Sequence, residues 1–474
     1  MKKSLFLLGV VLILFAAGYA AGRIVRACRS ERVVVVLSTN DIHAKIQRFP
    51  QLAAAVAACR DSLGNDRGLI VDAGDRWTGN AYVDLASAPG RPVLDLMNLL
   101  GYDAATLGNH EFDRGQASLG RMIADHMAFP VVCANALSDT CTFPQLPAHL
   151  IFDRSGVRIG VVGVVTNYEG PGHPAGNAAS FEGLRFPDPQ QAARDEADAL
   201  RDRVDVLLLL SHMGDDRDEE LLLAGEQRYD AVLGGHTHVR RDTVIGRTLL
   251  TQTGKNLAAV GVTTIRMRGD RLRSIDYRLV SLDDYAPDEA FSREVARYYD
   301  NPELNRPVGT FDRAAGYVGL ANWICAEIAR ATDAQVGIYH VGGVGLARLY
   351  DLEPFGSRIA RTRMTPADMR RMILAKYNDA TNRKESHRID LVCTAPYEIV
   401  VDAADSALDV CFPSLVEGRT YEVAIGDYIF KNYAAVDRSA GAITDRTVVD
   451  ALLASLRRGV VSPDETLRQQ RVAR

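Results

Sequence analysis

Short apolar runs rich in β-branched residues alternate with helix-forming stretches up to about residue 240, and this alternation is the strongest constraint on the fold. The runs lie at residues 33–37, 68–71, 156–165, 204–210 and 231–234. The stretches between them at 49–60, 93–100, 119–126 and 190–201 have the composition and periodicity of helices. Buried strands alternating with helices predict an α/β layered domain.

The remaining pattern predicts a second domain. Residues 249–282, including 259–267 and 273–280, alternate as strands that close a sheet, and 281–306 is acidic and turn-rich. A chain of 474 residues has room for two or three domains of about 100–200 residues. We expect one domain over 31–285, a linker over 286–306 and a second α+β domain over 307–474. A helix over 369–377 is predicted to begin with a cap formed by the preceding sequence Thr365-Pro366-Ala367-Asp368.

The first 30 residues are predicted to be a signal peptide or an N-terminal membrane anchor. Lys2 and Lys3 precede an apolar run from 5 to 22 without a charge. We therefore expect an exported protein, periplasmic or extracellular, that contacts a membrane only through this segment. Cleavage near Ala20, retention and lipidation at Cys28 remain open alternatives.

Composition excludes several classes of protein. Hydrophobic residues make up 47% of the chain, which is ordinary for a globular protein. The net charge of −5 offers no electrostatic basis for a nucleic-acid partner. Seven cysteines are too few for a disulfide scaffold. Disulfides Cys133–Cys141 and Cys393–Cys411, or buried free thiols, are both compatible with the sequence.

Five short polar motifs each follow an apolar run or lie at its end. Their chemically active residues are Asp41, His43, Asp75, Asn109, His110, Asp113, His212, His236 and His238. In open α/β sheets, ligands bind in the crevice beyond the carboxyl ends of the strands, so we expect the motifs to converge there. A single histidine is more often a surface residue, and an Asp-Gly pair is usually a turn. Five such motifs at strand ends favour one common site.

These residue types predict a two-metal site. Carboxylates, imidazoles and an amide oxygen, without thiolates, suit Mn²⁺, Zn²⁺ or Fe. There are too many ligands for one ion, and one carboxylate can bridge two. Two cations about 3.5–4 Å apart stabilise in-line displacement at phosphorus and lower the pKa of a shared water. The motifs therefore predict a metal-dependent hydrolase.

The motifs Asn-Asp-x-His, Gly-Asp-x-x-x-Gly, Gly-Asn-His-Glu-Phe-Asp, Ser-His and Gly-Gly-His-x-His, in this order, resemble those of the calcineurin-like metallophosphoesterases. The third motif and the length of the second domain resemble the 5′-nucleotidase/UDP-sugar hydrolase branch. The resemblance covers roughly residues 33–474. It implies a four-layer α/β/β/α sandwich followed by a smaller α+β domain.

The resemblance also implies a role for each motif residue. One metal would be held by Asp41, His43, Asp75 and His238. The other would be held by Asp75, Asn109, His212 and His236, so that Asp75 bridges the two. His110, oriented by Asp113, would stabilise the phosphoryl transition state or protonate the leaving oxygen. Many members of the branch have Gln where this chain has His238.

The second domain departs from the branch in its nucleoside-binding motifs. The sequence Asn-Gly-Gly-Gly-Ile-Arg of the branch is replaced by His-Val-Gly-Gly-Val-Gly at 340–345, which lacks the asparagine and the arginine. Tyr433 or Tyr397 is a candidate to stack on a base, and Arg358 is a candidate to bind phosphate or carboxylate. Packing roles for the tyrosines and a solvated face for the arginine are the alternatives.

The sequence thus predicts an exported two-metal phosphoester hydrolase. Its expected substrates are small phosphoesters, above all nucleoside 5′-monophosphates or related nucleotides, attacked by metal-bridged hydroxide. Three alternatives remain: a phosphoesterase on a non-nucleotide substrate, a thiosulfate-ester hydrolase, and a surface binding protein with a structural metal site. The oligomeric state is left open.

Overall fold

The structure is a computed structural model that describes residues 31–63, 68–139, 142–168, 172–225, 228–340, 349–353, 355–379 and 389–473. The predicted leader at 1–30 lies outside these residues, as do Cys141 and positions 341–345 of the altered nucleoside motif. Within the described residues, no helix has both the length and the apolar content needed to cross a membrane.

Strands dominate the first half of the chain. In chain order they are β1 (Glu31–Thr39), β2 (Gly68–Asp72), β3 (Ala104–Ala105), β4 (Leu137–Ser138), β5 (His149–Arg154), β6 (Val157–Val165), β7 (Leu184–Arg185), β8 (Val206–His212), β9 (Ala231–Gly234), β10 (Arg240–Ile245), β11 (Thr248–Thr253), β12 (Ala259–Arg268) and β13 (Arg271–Ser281). All five apolar runs and both later stretches are strands, which confirms those predictions.

Two sheets contain most of these strands. Among the described residues, the first sheet has the order β13-β12-β1-β2-β3 and the second has the order β10-β11-β9-β8-β6-β5. β1, β2 and β3 are parallel to one another, as are β6, β8, β9 and β11. The outer strands β5, β10, β12 and β13 are antiparallel to their neighbours. β4 and β7 form a separate short pair.

Helices cover the outer faces of the two sheets. They are α1 (Phe49–Leu63), α2 (Ala81–Asp84), α3 (Arg91–Leu100), α4 (Gln116–His126), α5 (Pro189–Leu200), α6 (Asp215–Leu223), α7 (Glu289–Tyr299) and α8 (Pro302–Asn305). Short 3₁₀ turns occur at Ile46–Arg48, His110–Phe112, Ala178–Phe181, Arg201–Arg203 and Leu282–Asp284. The four helices predicted from periodicity are present.

Three apolar layers separate these elements. Val34 and Val36 of β1 pack against Leu208 and Leu210 of β8 between the sheets. The opposite face of β1 packs against the α1 side, and the outer face of the second sheet packs against α5 and α6. This arrangement is the expected four-layer α/β/β/α sandwich, and it follows from the burial of the central strands on both faces.

The second half is a smaller α+β domain. Its strands are β14 (Val336–His340), β15 (Arg358–Met364), β16 (Leu391–Cys393), β17 (Tyr397–Val401), β18 (Ala407–Cys411), β19 (Tyr421–Gly426), β20 (Gly441–Thr447) and β21 (Gln469–Ala473). Its helices are α9 (Tyr317–Ala331), α10 (Leu349–Leu352), α11 (Pro366–Tyr377), α12 (Asp427–Asn432) and α13 (Val448–Arg458), with a 3₁₀ turn at Arg438–Ala440. Among the described strands, one sheet has the order β16-β14-β19-β15-β20 and another the order β18-β17-β21.

The start of α11 confirms the predicted cap. The Thr365 hydroxyl accepts a hydrogen bond from the backbone N–H of Asp368, and the Asp368 carboxylate accepts one from the N–H of Thr365 at 2.8 Å. Pro366 occupies the first helical position, where its missing N–H costs no hydrogen bond.

The segment predicted to be a linker contains a helix that packs on the first domain. Val295 of α7 is buried in the apolar cluster on the outer side of the first sheet. The hydroxyl of Tyr298 lies 3.2 Å from a carboxylate oxygen of Asp95 in α3. Residues 306–310, which follow α8, are exposed and have no helix or strand. The exact limits of the domains stay predictions.

Among the described cysteines, Cys133, Cys325, Cys393 and Cys411 are free thiols. The possible disulfide between Cys393 and Cys411 is therefore wrong, because Cys393 is buried in β16, within the core of the second domain, and Cys411 is exposed. Of the two alternatives left open by the sequence for this pair, unpaired thiols are the correct one.

Candidate metal centre

Four of the predicted ligands meet just beyond the ends of β1, β2 and β9. One ligand atom from each of Asp41, His43, Asp75 and His238 lies within 4.8 Å of the others. Nε2 of His43 and Nε2 of His238 are 2.9 Å apart. The same two atoms lie 3.8 Å and 3.3 Å from Oδ1 of Asp41. The four side chains therefore surround one small volume.

Asp75 also belongs to a second group. Ligand atoms of Asp75, His212 and His236 lie within 4.8 Å of one another. Nε2 of His212 is buried without a well-formed hydrogen bond and lies 3.2 Å from Oδ2 of Asp75. Oδ1 of Asn109 lies 3.0 Å from Nδ1 of His236. Because Asp75 is shared, the two groups lie side by side.

The donor atoms fit two divalent cations. Bonds of about 2.1 Å from one ion to nitrogen or oxygen place neighbouring ligand atoms about 3–3.5 Å apart. The distances of 2.9, 3.2 and 3.3 Å agree with that geometry. The buried Nε2 of His212 has no well-formed hydrogen bond, and a bound cation would give this atom a ligand role. Imidazole, carboxylate and amide donors of this kind suit Mn²⁺, Zn²⁺ or Fe.

Hydrogen bonds from neighbouring groups orient the ligands. Nδ1 of His212 lies 2.7 Å from the carbonyl oxygen of Ala73, which leaves Nε2 of His212 directed at Asp75. The side-chain amide of Asn40 donates to Oδ2 of Asp41 at 2.6 Å and to the carbonyl of Gly254 at 2.7 Å. Such outer contacts select the histidine tautomer and hold each ligand in one orientation.

Five of the predicted ligands have left-handed backbone conformations. Their φ angles are 50° for Asp41, 46° for His43, 57° for Asp75, 83° for His236 and 59° for His238. This region costs free energy for residues other than glycine, and such residues cluster where function requires a particular geometry. The chain therefore bends sharply at each strand end, which turns the ligands toward one another.

Glu111 ties two ligand loops together. Its carboxylate is buried and accepts hydrogen bonds from the backbone N–H groups of Asp75 at 2.9 Å, Arg76 at 2.8 Å and Gly108 at 2.5 Å. The Arg76 guanidinium is also fully buried, and its Nη1 donates to the carbonyl of Thr106 at 2.6 Å. A Cβ atom at Gly108 would lie 2.1 Å from Oδ1 of Asp75, so only glycine fits between the loops.

The first ligand group is strongly coupled electrostatically. Burial alone would raise the pKa of Asp41, but the charge and hydrogen bond of His238 outweigh burial and lower this pKa to about 2. Burial and the charge of His238 lower the pKa of His43 to about 3. Asp41 is therefore ionised and His43 neutral at neutral pH, which are the forms that bind metal.

Asp75 raises the pKa of a neighbouring histidine, whereas His238 lowers the pKa of His43. Burial opposes ionisation of Asp75, but the nearby charges of His212 and His110 hold its pKa well below the ordinary value. Burial likewise disfavours the charged form of His212, yet the Asp75 carboxylate outweighs it and raises the pKa of His212 to about 10. Asp75 is therefore the main negative charge around which the positive groups gather.

His110 lies beside this centre. Its Nδ1 is 2.7 Å from Oδ2 of Asp113, and its ring centroid is 5.2 Å from that of His43. Burial would lower the pKa of His110, but Asp113 and Asp75 together raise it to about 10. These two carboxylates favour the protonated imidazole, the form that can stabilise phosphoryl oxygens or donate a proton.

Several residues at the centre have no counterpart among the sequence predictions. Nζ of Lys255 lies 3.2 Å from Nδ1 of His238, and the Phe355 ring of the second domain lies 6.0 Å from the His110 ring at an angle of 26°. Glu111 lies inside one of the five motifs, so its place in the sequence is a local indication that it belongs to the site. Lys255 and Phe355 are distant in sequence from the groups they contact, so only the tertiary structure places them at the centre.

The three candidate substrate-binding residues differ in accessibility. Tyr397 is buried in the core of the second domain, and its hydroxyl donates to the carbonyl of Leu391, so it packs and cannot stack on a substrate. This corrects the expectation for Tyr397. Tyr433 is partly buried against the same core, with its ring 6.2 Å from that of Tyr428. The Arg358 side chain is exposed at the start of β15. Roles for Tyr433 and Arg358 stay predictions.

Comparison with known proteins agrees with the motifs. A family model described as calcineurin-like phosphoesterase matches residues 34–240. Endonuclease YhcR of Bacillus subtilis (strain 168) is 26% identical over 400 residues, which are 72% of this chain and 32% of that protein. The 5′-nucleotidase of Diplobatis ommata is 31% identical over 226 residues, which are 43% of this chain and 37% of that protein. The chain thus spans less than half the length of either curated relative.

The fold has a counterpart among solved structures. The 5′-nucleotidase precursor from Thermus thermophilus matches 93% of this chain and 99% of its own, with a TM-score of 0.74 and 18% identity. At this identity the similarity concerns the fold. Residues 34–240 are thus similar to the calcineurin-like phosphoesterases, and the chain has the two-domain fold of this solved 5′-nucleotidase precursor.

Proposed function

We propose that this chain is an exported metal-dependent phosphoester hydrolase that removes phosphate from nucleoside 5′-monophosphates or related nucleotides. The observation that carries the proposal is the pair of ligand groups sharing Asp75, with the His110–Asp113 pair beside them. A protonated histidine beside the two groups can stabilise phosphoryl oxygens or protonate a leaving oxygen, a role that a purely structural metal site does not call for.

Each residue at the centre has a proposed role. One cation would be held by Asp41, His43, Asp75 and His238, and the other by Asp75, Asn109, His212 and His236. Two divalent cations, when bound, supply charge that stabilises the phosphoryl group and lowers the pKa of water.

The protein's own contribution to proton transfer centres on His110. Because Nδ1 of His110 is held by Asp113, Nε2 is the atom left to donate a hydrogen bond or a proton. With a pKa raised by the Asp113 and Asp75 carboxylates, the imidazolium can stabilise phosphoryl oxygens and protonate the leaving oxygen. Asp113 fixes the tautomer in which this is possible.

Phe355 supports a nucleoside as the leaving group. Its side chain is 55% exposed although it lies beside the His110 ring. An exposed aromatic face next to the proposed phosphoryl site offers a surface on which a base can stack. The two sequence relatives are named for nucleotide phosphoesters, one as a 5′-nucleotidase and one as an endonuclease. The altered sequence at 340–345 leaves a non-nucleotide phosphoester as the alternative substrate.

The test is release of phosphate from a substrate panel. Nucleoside monophosphates, nucleotide sugars, cyclic nucleotides and sugar phosphates are assayed with Mn²⁺, with Zn²⁺ and with chelator, and a thiosulfate ester is assayed for sulfate release. Metal-dependent release from nucleotides supports the proposal. Release from sugar phosphates alone, or from the thiosulfate ester alone, would show that the proposed nucleotide substrate is wrong. No turnover of any substrate with metal bound would favour a binding protein.

A pair of variants tests the nucleoside surface. Phe355→Ala is expected to raise KM for a nucleoside monophosphate while p-nitrophenyl phosphate, which has no base, is hydrolysed as before. Leu467→Ala serves as the control, because Leu467 is similarly exposed and belongs to the same domain. Equal behaviour of the two variants on nucleotides would remove Phe355 from the proposal.

Export is tested separately. The protein is recovered from the soluble, membrane and external fractions of cells that produce it, and its N-terminus is determined in each. Recovery outside the cytoplasm, with or without the first 30 residues, supports export and decides between cleavage and retention. Recovery of the whole chain from the cytoplasm alone would contradict export while leaving the proposed chemistry in place.

A further inference from the structure

A short segment of the second domain, α10 (Leu349–Leu352), contacts the catalytic domain next to the metal centre. Tyr350 of α10 receives a hydrogen bond on its hydroxyl oxygen from Nη2 of Arg114 at 2.9 Å. Arg114 directly follows Asp113, the partner of His110. The Tyr350 hydroxyl is also hydrogen-bonded to the Asp84 carboxylate, and burial together with this carboxylate raises the pKa of Tyr350. Tyr350 thus contacts two residues of the first domain.

Both partners of Tyr350 are joined to the metal-ligand loops. The Asp84 carboxylate accepts backbone hydrogen bonds from Thr78 at 3.1 Å, Gly79 at 2.8 Å and Asn80 at 2.9 Å, in the turn that follows Asp75. The Thr78 hydroxyl donates to Oδ2 of Asp113 at 2.6 Å. Tyr350 therefore contacts the same bonded unit that orients His110.

Within the second domain, the residues next to Tyr350 are fixed by hydrogen bonds to one buried carboxylate. Glu353 is buried and accepts hydrogen bonds from the backbone N–H of Ser357 at 2.9 Å and from its hydroxyl at 2.7 Å. The same carboxylate lies 3.3 Å from the hydroxyl of Tyr339 in β14 and 3.3 Å from the backbone nitrogen of Phe355. These hydrogen bonds connect the residues around Tyr350 and Phe355 to the second-domain sheet.

The covalent connection between the domains does little to fix their spacing. The chain passes from one to the other through residues 306–310, which are exposed and contain no helix or strand. Non-covalent contacts must therefore determine how closely Phe355 approaches His110. The hydrogen bond between Arg114 and Tyr350 is exposed to solvent, but its donor is charged, which makes it stronger than a neutral bond in the same place, and it is directional.

We propose that Tyr350 is a positioning residue whose hydroxyl, bound by Arg114, latches the second domain to the catalytic domain and so sets the distance between Phe355 and His110. The latch touches no reacting atom. Its effect on substrate preference rests on the proposed function, because only a substrate that reaches both domains is sensitive to their spacing. A small aryl phosphate, bound at the metal centre alone, is insensitive to it.

The kinetic test is Tyr350→Phe, which removes the hydroxyl and keeps the ring. KM for a nucleoside 5′-monophosphate is expected to rise about tenfold, as for the loss of one charge-assisted hydrogen bond. The kcat and KM for p-nitrophenyl phosphate are expected to stay within about twofold. Arg114→Ala should give the same pattern, and the double variant should be no worse than either single one, since both remove one interaction.

A matched control separates the latch from general destabilisation. Tyr298→Phe also removes a tyrosine hydroxyl that contacts a carboxylate, that of Asp95, but both residues belong to the body of the catalytic domain and its packed α7. It is expected to leave KM for both substrates unchanged. Equal losses on both substrates in Tyr350→Phe, or a shift in Tyr298→Phe as large as that in Tyr350→Phe, would overturn the latch.

A second measurement is independent of activity. The radius of gyration from small-angle X-ray scattering is expected to be larger for Tyr350→Phe than for the wild type and for Tyr298→Phe, because the domains separate more often. Faster amide exchange in residues 349–353 should accompany this change. If the wild type hydrolyses no nucleotide, the proposed function fails while these measurements still decide the latch. An unchanged radius and unchanged exchange would overturn it.

Discussion

Oδ2 of Asp113 lies 2.7 Å from Nδ1 of His110 and also accepts the hydroxyl proton of Thr78 at 2.6 Å. One carboxylate oxygen therefore joins the proposed proton donor to the turn that begins with Asp75. The orientation of the imidazole is tied to the loop that carries the shared metal ligand, although the two motifs are more than 30 residues apart in sequence.

This arrangement predicts that His110→Ala lowers kcat by about 100-fold or more while the metal content stays at the wild-type level, because the proposed role of His110 is to act on substrate and not to hold a cation. Asp113→Asn is expected to lower kcat as well, since the imidazole loses the carboxylate that orients and charges it. Steady-state kinetics and elemental analysis of the purified variants check both.

His149→Ala is the control for that pair. Nδ1 of His149 lies 2.5 Å from a Glu196 carboxylate oxygen, so this is also a histidine–carboxylate pair, but on β5 at the edge of the second sheet. Its kcat should equal that of the wild type. Loss of bound metal in His110→Ala would show that His110 is a ligand and that its proposed role is wrong.

A methyl group at Gly108 should disrupt the metal centre. The added Cβ would lie 2.1 Å from Oδ1 of Asp75 and 2.5 Å from its backbone nitrogen, so the two ligand loops must separate. Gly108→Ala is expected to lower the free energy of unfolding by about 2 kcal/mol or more and to abolish metal binding. Denaturant unfolding and metal titration measure these two effects.

Gly68→Ala provides the comparison for this change. Its Cβ would meet only the carbonyl oxygen of Val35 at 3.7 Å, an ordinary contact at the start of β2. This variant is expected to bind metal and unfold as the wild type does. If Gly108→Ala retained full metal affinity, the packing of the two loops would not control the centre.

Removal of metal is expected to lower Tm. The two ligand groups are buried clusters of charged and polar atoms, and cations that bind only the folded chain stabilise it by mass action, by about 2.7 kcal/mol at a hundredfold excess over Kd. Thermal unfolding with chelator and then with added Mn²⁺ or Zn²⁺ measures the shift. Asp75→Ala should show no shift with metal, and an unchanged Tm in the wild type would contradict a folded-state metal site.

Asp218 predicts a pH dependence of stability. This α6 carboxyl is buried, and burial raises its pKa to about 7 despite a hydrogen bond from Ser211. A group whose pKa is higher in the folded than in the unfolded chain stabilises the fold while protonated and loses this contribution as pH rises through the folded value. The unfolding free energy of the wild type, relative to Asp218→Asn, should therefore fall by about 2–3 kcal/mol from pH 5 to pH 8.

Denaturant unfolding at several pH values measures this difference. Asp125→Asn, on the exposed side of α4, is the control and should track the wild type across the range. A constant difference between the wild type and Asp218→Asn at all pH values would show that the buried carboxyl does not titrate in this interval.

Much of the first domain is predictable from local sequence. Central strands buried on both faces must be continuously apolar, so runs such as that at 231–234 identify β9 to the residue. Helix starts are equally local, since the cap of α11 involves only residues 365–368. The ligand residue types at five strand ends likewise predicted a shared site, because the carboxyl ends of parallel strands meet at one edge of a sheet.

Long-range packing determined the features that local sequence did not predict. Tyr397 looks like a candidate for stacking on a base in the sequence, and it is buried only because β17 lies between β18 and β21 in the second domain. Cys393 and Cys411 are near in sequence, but the strands that carry them keep them apart. Glu111 connects two ligand loops because its carboxylate accepts hydrogen bonds from Asp75 and Arg76. No local pattern predicts these hydrogen bonds.

The sequence by itself therefore determined the alternation of strands and helices, the chemical type of the metal ligands and their places at strand ends, because these depend on residues within a few positions of one another. Only the tertiary structure decided which ligands share Asp75, that Phe355 lies beside His110, and that Tyr350 contacts Arg114. These relationships join residues separated by tens to hundreds of positions, and they arise from how the sheets and the two domains pack.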